Sequence, residues 1–143
     1  MEVDMLKADR VVPTTCPYCG VGCQLNLHLR DDLIFRVSGR FDNKVNRGNL
    51  CVKGRFGYDF MYAQDRLRQP LMRNSRTHTL EPAAWDAAMD EVASRLAGIR
   101  QQYGPESIAF LTSAKCTNEE NYLVQKLARG VIGSNHVDHC ARL

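Results

Sequence analysis

Four thiols dominate the chemistry open to this sequence. Three fall in the stretch CPYCGVGC, at Cys16, Cys19 and Cys23, and a fourth, Cys51, follows in NRGNLCVKGRFG, giving the pattern C-x2-C-x3-C-x27-C. Thiolates are soft ligands that select zinc, copper and iron–sulfur clusters, and a four-iron cube takes one thiolate per iron. Three ligands from one tight turn and one from a distant loop suit such a cube. Gly20, Val21 and Gly22 are small enough for the backbone to curl close to inorganic sulfide. Zinc also accepts four thiolates and stays open on spacing alone. Its usual ribbon has two C-x2-C knuckles, whereas the second half here offers a lone cysteine. A disulfide framework belongs to oxidising compartments and is the weakest reading.

Other residues invite a chemical role. Lys53 follows Cys51 by two positions; by residue type alone it reads as a solvated surface lysine. Cys116 in SAKCTNEE sits where a strand meets a helix and reads as a small hydrophobe. Lys115, its neighbour, occupies the same strand-to-helix turn, where free N–H groups of a helix start favour anions. Asp138, His139 and Cys140 are consecutive, so on an extended segment they point to alternate faces and do not share one metal. Cys140 therefore receives no role, and His28 and His78 are expected at the surface.

These residues need elements to position them. A length of 143 residues suits one ordinary domain, or a small domain and the start of another. The net charge of +3 is spread along the chain without a basic block, which argues against nucleic acid or an anionic membrane as partner. No apolar run approaches the roughly 18 residues of a membrane-spanning helix. The opening MEVDMLKADRVVPTT lacks the apolar stretch of a secretory signal and has no twin-arginine pair, so a cytoplasmic location is expected. Residues 1–15 read as a lead-in with little pattern.

From Cys23 the sequence alternates, with Cys23, Leu25, Leu27 and Leu29 on one face. Asp31–Asp32 signals a turn, and Leu33, Phe35 and Val37 resume the alternation, which predicts a β-hairpin with one buried face. SGRFDNKVNRGN reads as a loop that returns Cys51 towards the other thiols. DRLRQPLMRNSRTHTLEP reads as an irregular connector broken by Pro70 and Pro82. After it, Trp85, Ala88, Met89, Val92, Leu96, Ile99 and Tyr103 follow helical spacing, with Pro82 in the first turn and Gly104–Pro105 as the stop. Ser107–Ser113 is expected to be a short buried strand. A second helix is expected from near Asn118 to Gly133, and NHVDHCARL begins a further strand or loop. Helix, strand, helix and strand form the rhythm of an α/β domain with a parallel sheet, here incomplete.

With these residues in place, CPYCGVGCQLNL, NRGNLCVKGRFG, AAWDAAMDEVASRL and YGPESIAFLTSAKCTNEENYLVQKLARGVIGSNHVDHCARL together resemble the molybdopterin-dependent formate dehydrogenases, within the broader molybdopterin oxidoreductases. The cysteine clasp alone resembles the broad family, and TNEENYLVQKLARGVIGSNHVDHCARL resembles the formate dehydrogenases in particular. The resemblance implies a small β-rich [4Fe–4S] domain at residues 1–62, followed by the start of an α/β pterin-binding domain at 63–143. It implies that Cys16, Cys19, Cys23 and Cys51 bind one [4Fe–4S] cluster. It also implies that Lys53 lies between cluster and pterin as an electron relay, and that Lys115 contacts a pterin dinucleotide.

The implied reaction is oxidation of formate to carbon dioxide at molybdenum or tungsten held by two molybdopterin guanine dinucleotides, with electrons leaving singly through the cluster. The acceptor would be an iron–sulfur subunit or a ferredoxin-like protein, because the clasp begins near the start of the chain, without the extra cluster domains of members that use NAD. In formate dehydrogenases the protein ligand to the metal, cysteine or selenocysteine, directly follows a CAR-aliphatic tetrapeptide, and a histidine comes next. CARL is Cys140 to Leu143 here. The expectation is a reading frame ended at a UGA selenocysteine codon, and a fragment inactive by itself. The alternatives are a fragment of a nitrate reductase or other molybdopterin oxidoreductase, and a stand-alone iron–sulfur or zinc module.

Overall fold

A computed structural model describes residues 7–140; the lead-in residues 1–6 and the expectations attached to residues 141–143 lie outside the described residues. The described chain divides into two compact units. One takes the chain through Ala63, with Ser113–Tyr122 and the segment from Cys140; the other takes Gln64–Thr112 and Leu123–His139.

The first unit is built on a three-stranded antiparallel sheet in the order β1 (Arg10–Thr15), β2 (Gln24–Arg30), β3 (Leu33–Gly39). The expected hairpin is β2–β3, turned by Asp31 and Asp32 at φ 48° and 59°. Two left-handed residues in a two-residue loop match the right-handed twist of the flanking strands, and aspartate tolerates that conformation. The lead-in reading of residues 10–15 is corrected, since they form β1 and pair along their whole length with β2. Their apolar signal is short, and their partner strand decides their conformation.

The buried face differs from the expected alternation. Leu25, Leu29 and Val37 are buried as expected, but on β3 Ile34 also enters the core, while Leu33 is exposed. Residues three apart on a regular strand face opposite ways. The register shifts between His28 and Leu29, which pair with Arg36 and Ile34, and this bulge turns Ile34 and Val37 to the same face. Cys16 completes this core, with Val12, Tyr18, Leu27, Leu50 and Tyr58 packed against it. Burying each Leu or Ile contributes about 1.5–3 kcal/mol. His28 is half-buried rather than exposed, its Nε2 2.8 Å from Ser38 Oγ. A short helix, α1 (Val52–Phe56), starts directly after Cys51.

In the second unit, the stretch read as an irregular connector contains a hairpin, β4 (Leu71–Arg73) paired with β5 (Leu80–Pro82). Pro82 is the last residue of β5 and not part of a helix. It closes an edge strand, where its missing N–H costs nothing. The helix α2 (Trp85–Tyr103) carries the expected stripe, starts after the expected first turn at Pro82, and stops at Gly104, φ 85°. Its apolar stripe faces Leu127, Val131 and Ile132 across a half-open groove, and Trp85, Met89, Val92 and Tyr103 remain exposed.

The strand expected over Ser107–Ser113 is shorter and more open. Pro105–Ser107 makes a 3-10 turn, β6 spans Phe110–Ser113, and Leu111 is 83% exposed. A two-stranded sheet leaves its faces uncovered, which is why an apolar strand is not a buried one here. The helix α3 (Asn118–Lys126) continues into a wider π turn over Leu127–Ile132 and ends at Gly133, φ 85°. The strand β7 spans Val137–Cys140 and pairs with β6. The Phe110 N–H donates to the His136 carbonyl, and the Ala114 N–H to the Cys140 carbonyl, an equal step along each strand that makes the two parallel. Thus β6, α3 and β7 form a βαβ unit, anchored by buried Ser134, whose hydroxyl donates to the Ile108 carbonyl at 2.7 Å. The architecture is a small β-rich region followed by the start of an α/β domain.

Candidate metal centre

The three clustered thiols occupy the tip of the β1–β2 hairpin. Thr15 pairs with Gln24, and inside that pair the Cys16 N–H donates to the Cys23 carbonyl at 2.8 Å, so Cys16–Cys23 is a closed eight-residue loop. Gly22 has φ +72°, a left-handed turn that glycine takes without strain, just before the third thiol. Gly20 is held from outside by Asn118 at the start of α3, whose amide donates to the Gly20 carbonyl at 2.7 Å.

Cys51 arrives from the loop after β3 and precedes α1. That helix packs on the tip so closely that a Cβ on Gly54 would stand 3.2 Å from Cys16 Sγ. The Tyr18 hydroxyl, from within the tip, donates to the Gly57 carbonyl at the end of α1, and the Tyr18 ring meets Phe60 edge-on. The return of Cys51 towards the other thiols is therefore what the chain does.

The four thiols differ in exposure and in acidity. Cys16 is 4% exposed, Cys19 and Cys23 are half-buried, and Cys51 is exposed. Burial pushes Cys16 up from the ordinary thiol range, against a backbone N–H at Tyr18, and the charges of Cys19 and Cys51 push it further. Burial also raises Cys23, and the charges of Cys16, Cys19 and Cys51 add to that. Cys51 is shifted down, chiefly by the Gly54 N–H at the start of α1, then by the Lys53 N–H and the Lys53 charge, against a smaller burial cost. Cys16 and Cys23 thus sit in the electrostatic field of neighbouring thiols, and a cationic centre would relieve that repulsion.

The donor set tests which centre fits. It is all sulfur, with N–H groups of Tyr18, Lys53 and Gly54 aimed at thiol positions, as iron–sulfur thiolates require. A single zinc with Zn–S near 2.3 Å draws four sulfurs to within about 3.8 Å of one another. Four thiols with backbone N–H groups aimed at them fit a [4Fe–4S] cluster.

Lys53 is exposed on α1 and lines a half-open cavity of about 210 Å³, mostly apolar, with Thr15, Pro17, Tyr18, Tyr58 and Phe60. Lys115 is exposed in the turn between β6 and α3, and its N–H donates to Ser113 Oγ at 3.0 Å. That turn leads into Asn118 and so into the contact with the cysteine tip. Cys116 is half-buried in the same turn, not fully buried as a core residue would be. Asp138, His139 and Cys140 lie exposed on β7, with successive side chains on alternate faces.

One residue of consequence escaped the sequence. Asn46 is buried and makes three side-chain hydrogen bonds between the two cysteine-bearing segments. In a loop containing Asn43, Asn46 and Asn49, nothing in residue type separates a structural amide from a solvated one.

Comparison with known proteins meets this geometry. The molybdopterin oxidoreductase Fe4S4 domain family matches residues 9–63, and the molybdopterin oxidoreductase family matches residues 66–143. The chain is 46% identical over 129 residues to a Bacillus subtilis protein named "Probable oxidoreductase YjgC", covering 90% of this chain and 13% of that protein. It is 41% identical over 143 residues to the "F420-dependent formate dehydrogenase 1 subunit alpha" of Methanococcus maripaludis, covering 100% of this chain and 19% of that protein. The chain thus spans less than a fifth of the length of these relatives.

Proposed function

This chain belongs to the molybdopterin oxidoreductase family, whose cofactors are a [4Fe–4S] cluster and molybdopterin, and from that premise we propose that it is a segment of a formate dehydrogenase. Residues 1–62 are the cluster domain and residues 63–143 begin the pterin-binding domain. Cys16, Cys19, Cys23 and Cys51 hold the cluster. The observation that carries the reading is the closed cysteine tip with the start of α1 packed on it.

When bound, the bis-pterin molybdenum or tungsten centre supplies the two-electron oxidation of formate to carbon dioxide, and the cluster supplies single-electron transfer. This segment's share is the electron exit. Lys53 serves as an electron relay, because a cation at the start of α1 beside Cys51 offsets the negative charge that reduction adds. The N–H groups of Lys53 and Gly54 act in the same direction on the Cys51 sulfur. Lys115, in the turn ahead of α3, offers its ammonium to the anionic dinucleotide of a pterin. The small residues of the tip keep side chains away from inorganic sulfide. The electron acceptor is a separate iron–sulfur subunit or ferredoxin-like protein, and the enzyme works in the cytoplasm. Among the described residues no helix is long and apolar enough to cross a membrane.

The test uses the full-length protein that carries this segment. Anaerobic formate should bleach the visible absorption of its cluster and produce the spectrum of a reduced [4Fe–4S] centre. A cluster that stays oxidised under formate but is reduced by dithionite would reject formate as the substrate while leaving the cluster intact.

A further inference from the structure

Three thiols ride on one closed hairpin tip, but Cys51 arrives on another segment. What ties the two segments together sets whether a fourth corner can close, and ahead of Cys51 one side chain makes the link. Asn46 Oδ1 accepts the Gln24 N–H at 2.8 Å, and its Nδ2 donates to the Gln24 carbonyl at 3.1 Å and to the Asn49 carbonyl at 2.8 Å. Gln24 directly follows Cys23, and Asn49 stands two residues before Cys51. The strand β3 ends at Gly39, so past that point Gln24 has no further strand residue to pair with, and the Asn46 amide takes the place of a backbone partner. The Arg40 N–H adds a bond of 3.2 Å to the same Gln24 carbonyl.

The amide is preset by its own loop. Asn43 Oδ1 accepts the N–H groups of Val45 and Asn46 at 3.0 and 3.1 Å, and the Asn49 N–H donates to the Asn46 carbonyl at 2.8 Å. Only a short side chain carrying both a donor and an acceptor can make this set of bonds. An aspartate keeps the acceptor and loses both donors, and an alanine removes the side-chain partner of the Gln24 N–H and the Asn49 carbonyl and leaves the Gln24 carbonyl with Arg40 alone.

Resting on the reading that the four thiols hold a [4Fe–4S] cluster, we propose that Asn46 is the positioning residue that sets the reach of Cys51 and so retains the fourth iron. Without the latch the Cys51 sulfur–iron bond breaks, the thiolate takes a proton from water, and that corner leaves as Fe²⁺. A [4Fe–4S]²⁺ cluster then becomes [3Fe–4S]⁰, with charge conserved and no outside electron donor or acceptor.

The experiment reconstitutes the full chain anaerobically with ferrous iron and sulfide, as wild type, Asn46→Ala, Asn46→Asp and Cys51→Ala. Iron and acid-labile sulfide are counted per chain, and circular dichroism reports the fold. Both Asn46 variants should keep the fold and lose about a quarter of the iron while keeping the sulfide, as a cube missing one corner does. A role in fold stability alone removes iron and sulfide in equal proportion; that result, like an unchanged ratio, overturns the proposal. If Asn46→Ala yields no folded chain, Asn46→Asp decides on the same outcomes. Cys51→Ala separates the two levels. If it loses the corner iron while the Asn46 variants do not, only the latch is wrong; if the wild type takes up no sulfide, the cluster reading itself is wrong and the latch falls with it.

Discussion

Replacing Gly39 by alanine tests the close approach that brings Cys51 home. Gly39 ends β3, and an added Cβ would stand 2.5 Å from the Gly48 carbonyl carbon and 2.9 Å from its Cα, with the carbonyl oxygen nearer still. These are backbone atoms and cannot swing aside, so the loop itself must retreat by about 1.5 Å to reach an ordinary contact. Gly48 has little room to do so, because it has φ +82° and lies against the Phe41 ring. The cost is that of overpacking, about 1–3 kcal/mol. For a unit of this size that lowers the melting temperature by roughly 5–20 °C. The retreat also moves the loop that ends in Cys51, so iron uptake should fall with stability. Gly98→Ala on α2 serves as the control, because nothing lies within 4 Å of its added Cβ, and an exposed helix position gains about 0.5–1 kcal/mol from the change. Thermal melts with iron counts on both variants make the assay. Wild-type melting and full iron uptake in Gly39→Ala would refute the packing argument.

Further outcomes follow from the thiols and their supports. In the chain without metal, iodoacetamide should label Cys51 before the other three ligand thiols, because it is exposed and its thiolate is favoured, and Cys16 last; peptide mass spectrometry over time reads the order. Burial raises Cys16 and Cys23, so in the folded chain they hold their protons to higher pH than free thiols, and iron must displace those protons; iron uptake should therefore strengthen as pH rises towards the thiol range and weaken below it. Lys53→Gln should lower the cluster's midpoint potential by on the order of tens of millivolts with unchanged iron content, measured by redox titration. Tyr18→Phe removes the hydrogen bond to the Gly57 carbonyl and should cost about 1 kcal/mol of stability in a denaturant titration.

The long periodic elements were legible in the sequence because their signals are local. The span of α2 follows from its helical stripe and the Gly104–Pro105 stop, and the β2–β3 hairpin from alternation around Asp31–Asp32. Strand β1 was missed because its sequence, RVVPTT, carries one proline and little alternation; its conformation comes from pairing with β2. The β4–β5 hairpin was missed for the same reason, with strands of three residues too short to show a period. The bulge that turns Ile34 inward cannot be read from a two-residue period, since it is a break in that period. At the site, the cysteine spacing picks out the four thiols that the fold brings near one another. Asn46, Gly39 and Gly48 act through a non-local approach of two segments that no single stretch of sequence displays.

Elemental analysis of the anaerobically reconstituted chain tests the central claim most directly. About four iron atoms and four sulfides per chain are expected, lost on substitution of Cys16, Cys19, Cys23 or Cys51 and retained on substitution of Cys116 or Cys140. One zinc per chain, with no sulfide and no iron, would contradict it.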